Sequence, residues 1–545
     1  MAGMKVTRRG LLASAAALGA TALSQAALGT ESSPNQSVAR KRALPASTSA
    51  EQAVPVTIRV EAGQPVHQMS GGIGASFHII SATLPGRKPA GNSWSGSSWG
   101  GNPDPADDKH WEELFRHAEW LGMDWCRVEL EQRIYEPGRR VFDWQNSEMQ
   151  VLYRILDWAQ RRGVDIFLQQ MWGDVAWNAY PGNADDPVLR LRSAPYSIPE
   201  WAFGLGELLD HLVRVKKYAC IRWVSVSNEP GHDDFSWWQD AEMKALPITP
   251  GLKAAREEFD RRGLNVPISG PDWTDLPELN PADVDFDAFI GAYDLHSYGA
   301  IFDSMDGPYK LAEAERRMGQ WAQWAHARNK PLFLSEFGTM GFGWGHDDVG
   351  PACWQSGLKN ASLVVRGINA GVDGFNRWSF INRGDLDGQW QLLRTWQNET
   401  GHEAGKLLDA FTPQPNAYYQ FAMLARYLPK HSAVLATRVQ TPFVECDRKL
   451  VATALRTAKG NLSLLVVNES HRAAEVRVEF DGLPAALRLY RYSLTREAED
   501  RASVELQPEL GLEVAKVLTG HIPPMSIVVY STFRLNAGEP GLIAE

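Results

Sequence analysis

Apolar positions follow two alternating rhythms up to about residue 400 and a single rhythm after that. From residue 71, eight short and nearly unbroken apolar runs recur. They are "GGIGASF" from Gly71, "WCRVELE" from Trp125, "DIFLQQMW" from Asp165, "IRWVSVSNE" from Ile221, "VPISGPDW" from Val266, "AYDLHSY" from Ala292, "PLFLSEFG" from Pro331 and "GVDGFNRWSF" from Gly371. Runs of this kind suit parallel strands, which helices cover on both faces. Segments with a period near 3.6 lie between them. In "DDKHWEELFRHAEWLG" one face carries Trp111, Leu114, Phe115, Ala118 and Leu121, and Gly122 can stop the helix in the left-handed region. "SEMQVLYRILDWAQRRG" does the same with Leu152, Ile155, Leu156 and Ala159, stopping at Gly163. "TPGLKAAREEFDRRG" offers Thr249 as N-cap, Pro250 at the first helical position and Gly263 as stop. Eight strand–helix units predict an α/β fold, the (β/α)8 TIM barrel, ahead of a doubly wound sheet.

Beyond about residue 405 the helical rhythm disappears. "KLVATALRT", "NLSLLVVNES", "AEVRVEF", "LRLYRYSL" and "MSIVVYST" are short runs separated by Gly, Pro and Asn. They predict a C-terminal antiparallel β-sandwich built from strands alone. The earlier run "VPVTIRVEAGQPVHQMSG" is also strand-like and is expected to join that sandwich as an N-terminal strand. The expected division is a strand at 55–70, a barrel at 71–404, a sandwich at 405–535 and a tail at 536–545.

The length of 545 residues suits two folded units. A net charge of -10 argues against nucleic-acid and anionic-membrane partners. The first thirty residues read as a targeting segment rather than fold: Arg8-Arg9 precede Gly10-Leu11-Leu12 and an alanine-rich stretch too short to span a membrane. This resembles a bacterial twin-arginine export signal. Residues 31–54, rich in Ser, Ala, Pro and Gln, read as a disordered linker. The expected destination is secreted or periplasmic. Of the four cysteines, Cys126, Cys220, Cys353 and Cys446, none forms a C-x-x-C pair. Buried free thiols are the expectation, with a disulfide as the alternative in an oxidising destination, and no zinc motif, redox motif or other cofactor is implied.

Barrels of this type carry their chemistry at the C-terminal ends of the strands. Those ends here hold Arg127 and Glu129, then Gln169, Gln170 and Trp172, then Asn228 and Glu229, then Asp272 and Trp273, then His296 and Tyr298, then Glu336, and finally Trp378. Two carboxylates facing each other across one mouth suit glycoside hydrolysis. One keeps its proton to give to the leaving oxygen, and the other stays ionised to attack the anomeric carbon.

The "SNEP" of the fourth run and the "SEFG" of the seventh resemble the clan A glycoside hydrolases. Their acid/base and nucleophile occupy those two strand ends. Arg127 resembles the clan's second-strand arginine. Asn228 matches the residue before the acid, which contacts the sugar 2-hydroxyl. His296-x-Tyr298 resembles the sixth-strand motif, whose tyrosine bonds the nucleophile, and Trp378 matches the tryptophan that floors the sugar subsite. The barrel-plus-sandwich layout is similar to families 30 and 39, and the barrel motifs also fit family 5. Gln169-Gln170 departs from the histidine that family 5 often has on the third strand. The resemblance covers roughly residues 71–400. It implies a retaining β-glycosidase acting on a carbohydrate by double displacement, with Glu229 as acid/base and Glu336 as nucleophile. Pro230, Trp237 and Trp238 are expected to desolvate Glu229. Arg127 and Tyr298 are expected to hold Glu336 as an anion, although an ion pair of Arg127 with Glu129 or Glu131 is an alternative.

Other residues are weaker candidates. Trp94 and Trp99 lie in the long Gly/Ser-rich segment after the first run, and Trp172, Trp177, Trp344 and Trp390 could likewise stack on sugar rings. Gly-His-Asp-Asp occurs twice, at 231–234 and 345–348, after each candidate glutamate. Arg383-Gly384-Asp385 and Asp387 follow the eighth run. Three rivals share the scaffold: a sugar-binding barrel without turnover, a transglycosylase, and a metal-dependent hydrolase. Against the last, the first strand leads only to His78, with no H-x-H pair in the chain.

Overall fold

The computed structural model describes residues 53–79, 101–230, 236–239, 244–274, 276–298, 311–338, 354–382, 391–396, 407–441, 449–483, 485–500, 504–509 and 511–543. The export signal, nearly all of the linker, Trp94, Trp99, Trp344, Trp390, both Gly-His-Asp-Asp segments, Arg383-Gly384-Asp385, Asp387, Cys353 and Cys446 lie outside the described residues.

The chain begins with β1 (Val54–Met69) and then enters a ring of parallel strands. These are β2 (Gly72–Ala75), β3 (Phe77–His78), β4 (Trp125–Glu131), β5 (Asp165–Trp172), β6 (Ile221–Ser225), β7 (Ser269–Trp273), β8 (Ala292–Ser297), β9 (Leu332–Phe337) and β10 (Gly374–Arg377). Hydrogen bonding divides them into two sheets, β2-β10-β9-β8-β7 and β3-β4-β5-β6. The first apolar run serves both, because β2 pairs with β10 and β3 pairs with β4. At the opposite seam a single parallel bridge joins Val224 to Ile268. The result is a near-closed barrel of parallel strands.

The helices between strands follow the sequence rhythm. Asp108–Leu121 buries all five positions of its apolar stripe and ends on Gly122 at φ 73°. Ser147–Arg162 is capped by Asn146 and ends on Gly163 at φ 74°. Glycine pays no Cβ penalty in that left-handed conformation. Thr249–Arg262 ends on Gly263 as expected, but its N-cap is Ile248, and Thr249 is already the first helical residue. The Thr249 hydroxyl donates instead to Asp285.

Three further strands, β11 (Ile381–Asn382), β12 (Leu393–Trp396) and β13 (Leu407–Pro413), form a small sheet. The C-terminal region holds β14 (Ser432–Gln440), β15 (Leu450–Arg456), β16 (Leu462–Asn468), β17 (Ala474–Asp481), β18 (Leu487–Thr495), β19 (Leu512–Val514), β20 (Val517–Ile522) and β21 (Ser526–Ser531). With β1 they make one continuous nine-stranded sheet, in the order β19-β18-β21-β16-β15-β14-β1-β17-β20. Two sequence expectations change here. The sheet is not purely antiparallel, since β1 runs antiparallel to β14 but parallel to β17. It is also a single sheet curled on itself. Arg491 of β18 donates to the His521 carbonyl of β20 at 3.1 Å, although many strands separate them in the sheet order. The curl encloses an apolar core that includes Val56, Ile58, Leu464, Val478 and Val528.

The outer face of this sheet supplies Leu465, Val467, Ile527 and Val529 to the same core as the barrel helices. Helix Trp354–Ala370 lies at that junction. Its Trp354 indole donates to Met525 O at 3.0 Å, and Asn369 donates to Ala452 O at 2.9 Å. Beyond residue 405 the structure also inserts a helix, Tyr418–Ala425, where strands alone are expected. It is buried all round except at Tyr419, so no polar stripe marks it as helical. Cys126 and Cys220 are buried free thiols, as expected. Among the described residues, no helix is long and apolar enough to cross a membrane.

Candidate active site

Side chains on a strand alternate between faces, so every second residue points into the barrel. The first inward layer is an apolar plug of Trp125, Phe167, Ala292 and Phe333, with Trp223 against it. Two residues further along the same strands the chemistry reverses. Arg127, Gln169, Ser225, Asp294 and Ser335 are all buried. Above them come Glu129 and His296.

Bulges break this alternation where the chemistry concentrates. Register shifts occur in β7 between Pro271 and Trp273, and opposite Leu295 and His296 where β9 gains a residue. The extra residue re-aims its neighbours. Asp272 thereby reaches the interior with φ 69°, and Glu336 faces it from β9. Glu229 has φ 45°. Left-handed backbone at two non-glycine residues is strain of the kind that collects at functional sites.

The geometry joins these residues into one network. His296 bonds Glu229 Oε1 through Nδ1 at 2.7 Å and Asp272 Oδ1 through Nε2 at 2.7 Å. The same Nδ1 lies 3.4 Å from Glu336 Oε2. Glu229, His296 and Glu336 each offer an atom within 4.8 Å of the other two. Tyr298 donates its hydroxyl to Glu336 Oε2 at 2.6 Å. Arg127 donates Nη1 to Glu336 and Nη2 to Asn228 Oδ1, the latter at 2.8 Å. It also pairs with Glu129 at 2.7 Å, while Glu131 pairs with Arg133. Asn228 Oδ1 faces Gln169 as well, at 3.5 Å, so the side-chain oxygen is turned to donors and the amide N–H groups point elsewhere.

Burial dominates the electrostatics. It pushes the Glu336 carboxyl above the ordinary glutamate value, against the pull of Arg127 and His296. Arg127 and Tyr298 do contact Glu336 as expected, but desolvation outweighs them. Burial alone would push His296 down, yet the charges of Glu336 and Asp272 and the hydrogen bonds to Asp272 and Glu229 hold it well above an ordinary imidazole. Burial raises Tyr298. Glu129 sits below its ordinary value: burial opposes ionisation, and His78 with Arg127 overcomes it.

The remaining candidates spread around the mouth. Trp378 is partly exposed, edge-on to His78 at 5.8 Å, and packs on a small cluster of Met171, Trp172 and Leu191. Trp172 itself is 3 % exposed. Gln170 accepts from the Tyr135 hydroxyl. Trp177 donates to Glu136 O at 3.4 Å. Trp237 packs edge-on against Trp201, and Trp238 lies under the Arg192 guanidinium. What directly meets Glu229 is His296. Trp273 leaves the barrel interior and packs against Phe286 and Trp321. Asp294 and Ser335 are additions to the strand-end candidates, and Ser335 donates to Asp272 at 3.1 Å. The signal was available: Asp294 stands two residues before His296 and so shares its face.

Two groups of described residues could hold a metal ion, Glu229–His296–Glu336 and Asp272–Asp294–His296. Both depend on His296, whose two nitrogens already bond carboxylates.

Solved structures share this fold across nearly their whole length. A GH30 endoxylanase from Clostridium papyrosolvens C71 matches with 13% identity over 88% of this chain and 99% of its own, at a TM-score of 0.55. An alpha-L-arabinofuranosidase from Thermotoga maritima, in an arabinose complex, matches with 14% identity over 88% and 100%, also at 0.55. A conserved exported protein from Bacteroides fragilis matches with 11% identity over 87% and 100%, at 0.61. No family model and no curated protein matches the sequence. The fold is that of clan A glycoside hydrolases.

Proposed function

We propose that this chain is a retaining glycoside hydrolase that acts on a β-linked oligo- or polysaccharide. The observation that carries this is the approach of Glu229 and Glu336, which offer carboxylate oxygens within 4.8 Å of each other at the mouth of the ring. Retaining enzymes hold their carboxyls about 5–5.5 Å apart, whereas inverting ones leave about 6.5–9.5 Å for a water. Glu336 attacks the anomeric carbon as nucleophile while Glu229 protonates the leaving oxygen. Glu229 then takes a proton from the water that releases the glycosyl-enzyme ester. Arg127 and Tyr298 orient Glu336 and take up charge as it forms and leaves the ester. Asn228, with its oxygen held by Arg127, offers an N–H to the sugar 2-hydroxyl. Trp378 floors the subsite, backed by Trp172.

The reading takes the ring as a full (β/α)8 barrel, residues 71–404 as the catalytic unit, and 55–70 with 405–535 as the β domain. It also takes the chain as exported, to a secreted or periplasmic location. The neighbours' names frame the substrate search, since they include xylanases, an endo-beta1,6-glucanase and an arabinofuranosidase. A panel of aryl β-glycosides and the matching polysaccharides, assayed for released sugar, tests the proposal. Wild-type protein should cleave at least one and Glu336→Gln none. Retained turnover in that variant would remove Glu336 from its role.

A further inference from the structure

Beneath the two glutamates lies a second carboxyl pair that the double displacement does not use. Asp272 Oδ1 accepts from His296 Nε2 at 2.7 Å and from Ser335 at 3.1 Å, and its Oδ2 accepts from Gln169 at 2.5 Å. Arg127 stands 3.6 Å away. Asp272 therefore has the partners of an ionised carboxylate. Asp294 differs: both its oxygens are buried, and among the described residues its polar neighbours are the Ser335 hydroxyl and the Asp272 carboxyl, neither in full hydrogen-bond geometry. Asp272, Asp294 and His296 nevertheless offer atoms within 4.8 Å of one another. A carboxylate buried beside another carboxylate, with at most one hydroxyl to donate to it, is costly, so Asp294 is stable there as the neutral acid, facing Asp272.

Charge counting over the buried groups among the described residues leads to the same place. Glu129, Glu229, Asp272, Asp294 and Glu336 face Arg127, His296 and His78, and all eight are buried. Even with both imidazoles charged, five ionised carboxyls would leave two negative charges uncompensated. A dry interior does not tolerate that, so two carboxyl protons stay. One fits Glu336, whose carboxyl burial raises above the ordinary glutamate value. The other belongs below.

We propose that Asp272 and Asp294 share a proton, with Asp294 carrying it, and that Asp272 acts through His296 as a positioning residue for Glu229. This rests on the proposed hydrolase reading. The ionised Asp272 holds His296 by Nε2 and keeps the imidazole charged. The ring's Nδ1–H then fixes Glu229 Oε1. Glu229 Oε2, which is buried and without a hydrogen-bond partner among the described residues, is left to carry the proton toward the glycosidic oxygen. The groups facing this chain are Arg127 and Glu129 from β4, Glu336 and Ser335 from β9, Gln169 from β5 and Tyr298 beyond β8. Burial and the neighbouring Asp272 both raise Asp294, which agrees with a retained proton.

The test pairs imidazole NMR with leaving-group kinetics on full-length protein. Asn tolerates left-handed backbone, so Asp272→Asn is the mildest change at that strained position. In wild type, His296 should remain an imidazolium at pH 7. In Asp272→Asn it should titrate at least one pH unit lower. That variant should also lose more kcat on an alkyl glycoside, which needs acid catalysis, than on a nitrophenyl glycoside, with KM little changed. Asp294→Asn replaces one neutral group by another, so His296 should stay charged and the pH–rate limbs should stay in place. An unchanged His296 titration in Asp272→Asn overturns the proposal, as does a downward shift of the limbs in Asp294→Asn. If wild type cleaves no glycoside, the hydrolase reading fails, yet the NMR arm still decides the carboxyl pair.

Discussion

The two ends of the barrel interior use the same strands for opposite purposes. At the start of β4, β5 and β9 the inward residues are Trp125, Phe167 and Phe333, which pack ring against ring, with the Trp125 indole N–H as their one polar group. Two residues on, the same strands hold Arg127, Gln169 and Ser335, every one of them in the network around Asp272. The lower layer stabilises by burial, at roughly 25 cal/mol per Å2 of apolar surface. The upper layer has desolvated charges whose mutual attraction does little more than offset the cost of burying them. The apolar plug gives the ring its rigidity, and that rigidity holds the charged layer in a geometry that water would otherwise loosen.

This contrast can be broken at either end, and the variants should separate cleanly. Glu336→Gln should lower kcat/KM by about three orders of magnitude or more while leaving the thermal midpoint near wild type, since an amide keeps the shape. Calorimetry beside the aryl-glycoside assay checks both halves. Glu229→Gln should cost about 10²–10⁴-fold on unactivated substrates and less on nitrophenyl glycosides. Phe333→Ala should behave inversely. It should lose about 3–5 kcal/mol of stability in a denaturant titration, with the pH–rate profile of the remaining folded enzyme unmoved. Tyr298→Phe removes one hydrogen bond to a carboxylate, worth about 1.5–3 kcal/mol, so a loss of about 10- to 100-fold in kcat is expected. The smallest effect lies in pH. Because burial raises Glu336, its ionisation, and with it the acid limb of kcat/KM, should fall above the ordinary glutamate value of 4.5, with activity lost as pH drops through that limb. A limb at or below that value would mean that Arg127 and His296 outweigh burial.

Much of the frame was legible because strands and helices obey local periods. The stops at Gly122, Gly163 and Gly263 follow directly from the left-handed turn that glycine permits. That Glu229 and Glu336 meet at one mouth could be read because each stands at the C-terminal end of its strand run. What escaped depends on non-local structure. Helix Tyr418–Ala425 is buried on nearly every side, so its sequence has no stripe to reveal it. The bulges at Asp272 and Ser335–Glu336 change which way a side chain points, and a strict period of two cannot anticipate them. The balance at Glu336 escapes a local reading for a related reason. Neighbours can be guessed from strand ends, but desolvation depends on everything packed above and around. The curl of the nine-stranded sheet, joined by a parallel pairing of β1 with β17, likewise depends on partners more than 400 residues apart along the chain.

The most direct check on the paired glutamates is the anomeric form of the first sugar released. Hydrolysis of a β-glycoside followed by proton NMR within the first minutes should show the β-anomer before mutarotation begins. Release of the α-anomer would mean that water attacks directly, and that Glu336 forms no bond to the sugar.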